Sequence, residues 1–175
     1  MRASVPATRS PLFLAAFAIA VVGALTILGA YFFQYVVGLP PCPLCLEQRI
    51  PYYIAILLAL LLMLGALRGA PSSLLRGGLG TLAVIMMASV ALGAYHAGIE
   101  WKLWAGPTEC SGPISNFGTT GNLLQQMQTT TVVRCDEAAW RLMGLSLAGY
   151  NVLISAALVV VALWAVVLNQ RQENI

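Results

Sequence analysis

Two cysteines separated by two residues stand in the segment PPCPLCLEQR, residues 40–49, of a chain that is otherwise largely apolar. Only a thiolate attacks a disulfide, so a working cysteine needs neighbours that stabilise its negative charge. Cys45 precedes an apolar run that predicts a helix, whose N-terminus favours negative charge. Arg49 follows four residues later, so both side chains share a face if the stretch is helical. The segment therefore predicts a redox-active dithiol beside a cation.

Pro51 leaves the start of that helix open. If the helix begins at Pro51, a favoured early position, Cys45 lies just outside it. If it begins near Cys45, Pro51 removes a hydrogen bond in the second turn. The two alternatives place the thiol differently with respect to the helix N-terminus.

Cys110 and Cys135 form a second candidate pair, and four cysteines allow three pairings. Joining Cys42 to Cys45 and Cys110 to Cys135 is the natural pairing, which the sequence does not prove. A structural disulfide is a serious alternative for the second pair, because it would close a loop of about 25 residues, worth ~3 kcal/mol. It is a poor alternative for the first pair, whose ring is tiny. No metal is expected, because a structural zinc site usually needs two close ligand pairs, whereas Cys110 and Cys135 are separated by 24 residues.

His96 is the only histidine in the chain. It lies near the outer end of the third apolar run, at the same predicted membrane level as Cys45 and Arg49. Ionisable groups at membrane depth are functional candidates. The structural alternative for His96 is a helix-end imidazole bonded to a carbonyl. The structural alternative for Arg49 is an arginine at the membrane interface whose side chain extends to lipid head groups.

The elements that must position these residues are apolar runs. The chain is 59% hydrophobic and 9% charged, whereas soluble domains are about 25% charged. Four runs, about residues 11–37, 50–67, 79–98 and 145–168, approach the ~20 residues that span a bilayer as a helix. They lack strand alternation, and backbone groups in lipid must be satisfied internally. The sequence therefore predicts an all-α bundle of four transmembrane helices in one domain, residues 1–175.

An even number of spans places both termini on one side of the membrane. The two tails and the loop at residues 68–78 hold five of the nine Lys and Arg residues, which favours cytoplasmic termini. All four cysteines fall in two loops on the opposite side, residues 38–49 and 99–144. Disulfides can form and persist there. The net charge of +3, without a basic cluster, gives no indication of nucleic-acid binding.

Electrons from two dithiol pairs need an acceptor. The chain has no haem motif, dinucleotide fingerprint or iron–sulfur cysteine run. An acceptor dissolved in the lipid is the economical choice, and a quinone fits. Arg49 or His96 could hydrogen-bond a quinone carbonyl and offset the negative charge that grows on reduction.

Three segments carry a resemblance to a known family: CPLCLEQR after the first run, AYHAGIEW at the end of the third, and RCDEAAWRLMGLSLAGYN leading into the fourth. Together with four spans, they make the chain similar over essentially its whole length to the DsbB family, quinone-linked disulfide generators of the bacterial inner membrane. The resemblance implies that the protein reoxidises DsbA, a soluble periplasmic thioredoxin-fold protein. It also implies that the electrons pass to ubiquinone or menaquinone.

The same resemblance implies roles for individual residues. Cys110 matches the position that forms the mixed disulfide with DsbA, and Cys135 matches its resolving partner, which can also exchange with the first pair through Cys42. The quinone-site positions match Cys45, Arg49 and His96. The chain departs from the best-known members at Gln48, where they carry an acid. The acid here, Glu47, stands one place earlier, and its role stays open.

Four other interpretations remain. Related paralogues share the pattern but serve a dedicated partner. A reductase of the vitamin K epoxide reductase type is expected to carry its active Cys-x-x-C near the last helix, whereas here it follows the first. A membrane scaffold with structural disulfides would tolerate Cys45→Ser. A channel or transporter is disfavoured because the predicted spans have little mid-membrane charge.

Overall fold

The computed structural model describes residues 7–106 and 135–173. Its long elements are α1 (Pro11–Tyr35), α3 (Ile50–Leu67), α4 (Ser72–Glu100) and α5 (Leu147–Glu173). The short elements are a 3-10 helix (Ala7–Arg9), α2 (Pro43–Glu47), β1 (Arg141–Leu142) and β2 (Leu145–Ser146). Four helices are long and apolar enough to cross a membrane, with α2 and α3 together forming the second span. The predicted fold class, an all-α membrane protein with a four-helix bundle, is confirmed.

The four long helices pack as a ring in which α1 and α4 each contact both α3 and α5. Small side chains such as Ala15, Ala59 and Ala162 are buried at these contacts. Small residues let helix backbones approach closely, which is how helices associate where lipid removes the hydrophobic driving force. Large apolar side chains such as Leu57 and Val84 are exposed instead. The bundle is therefore apolar outside and closely packed inside, as a lipid environment requires.

The third long helix is longer than its apolar run indicates, because it begins at Ser72 and ends at Glu100 rather than at residues 79 and 98. Pro71 precedes its first turn, and the charged Arg76 is accommodated at one end of the bundle by a 3.3 Å hydrogen bond to Asn169 of α5. Hydropathy falls where polar residues begin, but the helix continues through them. As a result, α4 carries Glu100 as well as His96 to the end of the bundle where α2 lies.

A two-stranded hairpin before α5 was not anticipated by the sequence reasoning. β1 and β2 pair antiparallel, and the two turn residues, Met143 and Gly144, have φ values of 52° and 83°. Positive φ at both central residues is the requirement of the tight turn whose twist matches paired strands. The Trp140 ring packs 4.9 Å from the Phe33 ring, so the segment before the hairpin is held against α1.

Candidate redox site

The first cysteine pair lies at α2, the short helix that precedes α3 in the second span. Cys42 caps α2, and its Sγ accepts a hydrogen bond from the backbone N–H of Cys45 at 3.3 Å. Both thiols are free and their Sγ atoms are 2.9 Å apart. Pro51 stands in the first turn of α3, where no N–H donor is required. The structure is thus close to the first alternative, because α3 begins at Ile50 and Cys45 lies outside it, in the short helix α2.

His96 lies beside this pair, with its Nε2 atom 3.7 Å from Cys42 Sγ. The Gln48 side-chain nitrogen contacts both His96 Nδ1, at 2.7 Å, and the Leu44 carbonyl oxygen, at 3.3 Å. A carbonyl oxygen only accepts, so the Gln48 amide nitrogen donates to both atoms. His96 Nδ1 therefore accepts, and the neutral imidazole carries its proton on Nε2, facing the thiols.

A chain of buried polar side chains continues from Gln48 into the bundle. Asn151 Nδ2 donates to Gln48 Oε1 at 2.7 Å, and the Tyr52 hydroxyl donates to Asn151 Oδ1 at 2.7 Å. Ser155 contacts Tyr52 at 2.8 Å and donates to Ser89 at 2.9 Å. Burying polar groups is costly unless they are hydrogen-bonded. These paired groups therefore fix the relative positions of α3, α4 and α5.

Arg49 is buried and held by α1. One of its terminal nitrogens donates to Gln34 Oε1 at 2.8 Å, and its guanidinium carbon lies 5.2 Å from the centre of the Tyr31 ring. Both contacts are favourable for a guanidinium, the second as a cation–π interaction. The side chain therefore points into the bundle rather than outward to lipid head groups. Glu47, by contrast, is exposed.

The two thiols of the first pair have different surroundings, which affect their ionisation differently. Hydrogen bonding to the Cys45 side chain, followed by burial, raises the pKa of Cys42 well above its ordinary value. Cys42 is therefore the thiol of the pair that retains its proton. Arg49 and Glu100 both lie close enough to Cys45 to interact with it electrostatically, and a neighbouring cation is the usual means of stabilising a thiolate.

Cys135 is fully buried and packs in one cluster with Cys42, Leu44 and Ile99, with Cys45 against its edge. The backbone of Cys135 also lies within reach of the His96 ring. The structure thus brings one cysteine of the second pair directly to the first pair. Cys110, its predicted partner, lies outside the described residues.

A cavity of about 590 Å³ opens next to Cys45. Its polar lining includes Cys45, Gln48, Arg49, His96 and Asn151, and its apolar lining includes Leu25, Phe33 and Trp140. The volume lies within the range of about 300–1,000 Å³ typical of small-molecule sites, which combine apolar walls with a few polar groups. Leu25 is 61% exposed, so the cavity reaches the outer surface of the bundle. These features fit a planar, apolar ring with carbonyl oxygens, as in a quinone.

The same geometry brings together possible metal ligands. The donor atoms of Cys42, Cys45 and His96 all lie within 4.8 Å of one another. The expectation of no metal rested on the distance between the cysteine pairs in sequence. It did not include a third ligand from α4, which the fold places beside the first pair.

Comparison with known proteins shows the family of this chain. The family model for "Disulfide bond formation protein DsbB" matches residues 12–165. The chain belongs to the DsbB family. A disulfide bond formation protein B of Xanthomonas campestris pv. campestris (strain 8004) is 34% identical over 140 residues, which cover 78% of this chain and 77% of the relative. The one of Azoarcus sp. (strain BH72) is 33% identical over 168 residues, covering 92% and 94%. No solved structure gives a match of comparable significance.

This DsbB-family protein is thus a disulfide bond formation protein of the membrane, with several spans. Five predicted site residues meet at one end of its bundle: Cys42, Cys45, Arg49, His96 and Cys135. Sequence reasoning missed the polar residues that support them, namely Gln34, Tyr52, Ser89, Glu100, Asn151 and Ser155. One signal was available, because Ser89, Asn151 and Ser155 interrupt apolar runs, and polar groups inside membrane helices are expensive unless they have a role.

Proposed function

We propose that this protein is a membrane thiol oxidase that reoxidises a DsbA-like periplasmic dithiol protein and passes the electrons to a membrane quinone. It acts as one integral domain of the bacterial inner membrane, with cytoplasmic termini and periplasmic cysteines. The observation that carries the proposal is that Cys45, Arg49 and His96 line one apolar cavity. The relatives are named disulfide bond formation protein B, which supports the direction of the chemistry.

The thiol side of the reaction is a sequence of exchanges, each forming one S–S bond and breaking another. A thiolate of the partner attacks Cys110 in its disulfide with Cys135, which releases Cys135 as a thiolate. The second partner thiolate then displaces Cys110 from the mixed disulfide, so the partner is oxidised and the second pair is reduced. Cys135 lies in one buried cluster with Cys42, so its thiolate attacks Cys42 and releases Cys45 as a thiolate. Cys110 then attacks Cys135, which releases Cys42 and re-forms the Cys110–Cys135 disulfide, so two electrons have passed to the first pair.

The acceptor side rests on the residues around the cavity. Arg49 and His96 would hold the carbonyl oxygens of a quinone, since guanidinium N–H groups and the His96 Nε2–H both donate. When bound, the quinone supplies a two-electron, two-proton sink, so that dithiol and quinone become disulfide and quinol. Gln48 keeps the His96 proton on Nε2, and the apolar walls exclude water from the sulfur atoms.

The proposal is tested with purified protein in detergent, a reduced thioredoxin-fold dithiol protein, and ubiquinone or menaquinone. Wild type is expected to consume dithiol and quinone in equal amounts. Cys45→Ser should abolish turnover, and Arg49→Ala should weaken it. Arg68→Ala is the matched control, because this arginine stands at the opposite end of α3 and its loss should leave turnover unchanged. Absence of turnover in folded wild type with both quinones would overturn the proposal and favour a scaffold with structural disulfides.

A further inference from the structure

The reduced form of the first cysteine pair has the composition of a metal site. Two thiols and an imidazole place their donor atoms within 4.8 Å of one another, with Cys42 Sγ 3.7 Å from His96 Nε2. Zinc-type sites combine these ligand types in tetrahedral sets of four. Zn–S bonds of about 2.3 Å would place the two sulfur atoms about 3.7 Å apart. The present Sγ–Sγ distance of 2.9 Å therefore needs only a small side-chain rotation.

Glu100 supplies an independent observation. Its side chain is 5% exposed, one turn after His96 on α4, with Oε1 3.8 Å from His96 Nε2. Its other oxygen, Oε2, is buried and has no hydrogen-bond partner among residues 7–106 and 135–173. A buried carboxylate oxygen without a partner is costly. Glu100 also interacts electrostatically with Cys45. Its carboxylate stands beside, and not within, the group of three donor atoms, so a side-chain rotation is needed to bring it in as the fourth ligand.

Gln48 is the group that would support the histidine ligand. Metal-bound histidines almost always donate their other ring N–H to an acceptor. Here the Gln48 amide contacts His96 Nδ1 at 2.7 Å through its nitrogen, and rotating the amide by half a turn presents its oxygen instead. Metal binding at Nε2 therefore requires this rotation, which breaks the 3.3 Å contact to Leu44 and also needs the Asn151 amide to rotate, because its Nδ2 now donates to Gln48 Oε1 at 2.7 Å.

We propose that the reduced Cys42–Cys45 pair, together with His96 and Glu100, binds a thiophilic divalent cation of the Zn²⁺ type. Binding releases the two thiol protons and moves no electrons. Both sulfurs then hold the cation, so neither can attack a disulfide or pass electrons onward. The site is thus an inhibitory one, and this consequence, though not the binding itself, rests on the proposed oxidase function.

The binding test uses the full chain carrying Cys110→Ser and Cys135→Ser, so that only the first pair remains. The protein is reduced, freed of reductant and titrated with Cd²⁺, and the ultraviolet thiolate-to-cadmium charge-transfer band is followed. Zn²⁺ is then measured by competition. One cation is expected per chain, with no band after adding Cys45→Ser. His96→Ala and Glu100→Gln should each weaken binding, the former by more than the 10–100-fold typical of supporting residues.

Two further variants separate ligation from general packing. Gln48→Glu should tighten Zn²⁺ binding, because a carboxylate accepts from Nδ1–H without any rotation. Thr81→Ala removes a hydroxyl of α4 that donates to the Gly77 carbonyl of its own helix, far along the helix from His96, and should not change affinity. Circular dichroism checks that each variant keeps its helices, and Zn²⁺ should protect Cys45 of the reduced protein from alkylation.

The proposal is overturned if the folded protein shows no band, or if neither His96→Ala nor Glu100→Gln changes the affinity, which would mean ligation by two thiolates alone. The titration contains neither quinone nor partner protein. Its failure would leave the oxidase function untouched, and failure of the quinone assay would leave the metal site standing.

Discussion

Asn151→Leu tests whether the buried polar chain positions the candidate site. The substitution keeps the side chain at similar volume but removes the donor to Gln48 and the acceptor for Tyr52. Tyr52 keeps its contact with Ser155, whereas Gln48 Oε1 loses the partner that the structure gives it. A buried acceptor left unsatisfied costs roughly 1–3 kcal/mol, and interhelical hydrogen bonds in membrane proteins average about 0.6 kcal/mol. We therefore expect Asn151→Leu to lower the free energy of unfolding by about 1–2 kcal/mol.

That free energy corresponds to a factor of about 5–30 in the population of the ordered arrangement. Gln48 would then no longer fix His96, so quinone reduction should fall by a similar factor. The assay combines thermal unfolding in detergent with the kcat and KM of quinone reduction. Ser155→Ala is the control, because it removes buried hydrogen bonds of the same chain without touching Gln48. Equal activity losses in the two variants, or none in Asn151→Leu, would refute the positioning role.

Three further predictions follow from single contacts. Arg49→Lys keeps the charge but loses the planar fork and the stacking on Tyr31; KM for quinone should rise about tenfold, and an unchanged KM would exclude a role in binding. A β-carbon at Gly93 would lie 3.4 Å from a backbone oxygen of α5 and nearer to two of its side chains. Gly93→Val should therefore destabilise the bundle by about 1–3 kcal/mol, and wild-type melting would contradict this packing. Lys102 and Asp136 form an exposed 2.8 Å ion pair; Lys102→Ala should change stability by less than about 1 kcal/mol, so a larger loss would show that the pair anchors the segment after Cys135.

The parts of the fold that follow from local sequence could be predicted. Composition and run length suffice for four spans, because lipid allows few alternatives to apolar helices. The expectation that Cys45 and Arg49 act together rested on helical spacing. In the structure they do not share one continuous helix, because α2 ends at Glu47 and α3 begins at Ile50. Both side chains nevertheless line the same cavity beside α1.

Contacts between distant residues could not be predicted in this way. Gln48 meets His96 and Asn151, which are 48 and 103 positions away, and only the packing of the bundle brings α4 and α5 beside the segment between α2 and α3. Glu100 was not predicted because an apolar run ends before the first charged residue. The hydrogen-bonded backbone of α4 continues beyond that point, to Glu100. The hairpin could not be predicted because strands of two residues are too short to show an alternation of apolar and polar residues.

In the proposed reaction, electrons leave the Cys42–Cys45 pair for a quinone. The most direct test of this transfer is an anaerobic single turnover, in which fully reduced protein carrying Cys110→Ser and Cys135→Ser is mixed with ubiquinone or menaquinone. Quinone absorbance and free thiols are followed together. We expect one quinone to be reduced per chain as two thiols disappear, and Cys45→Ser to abolish both changes. Retention of both thiols and of the quinone absorbance by the folded protein would contradict it.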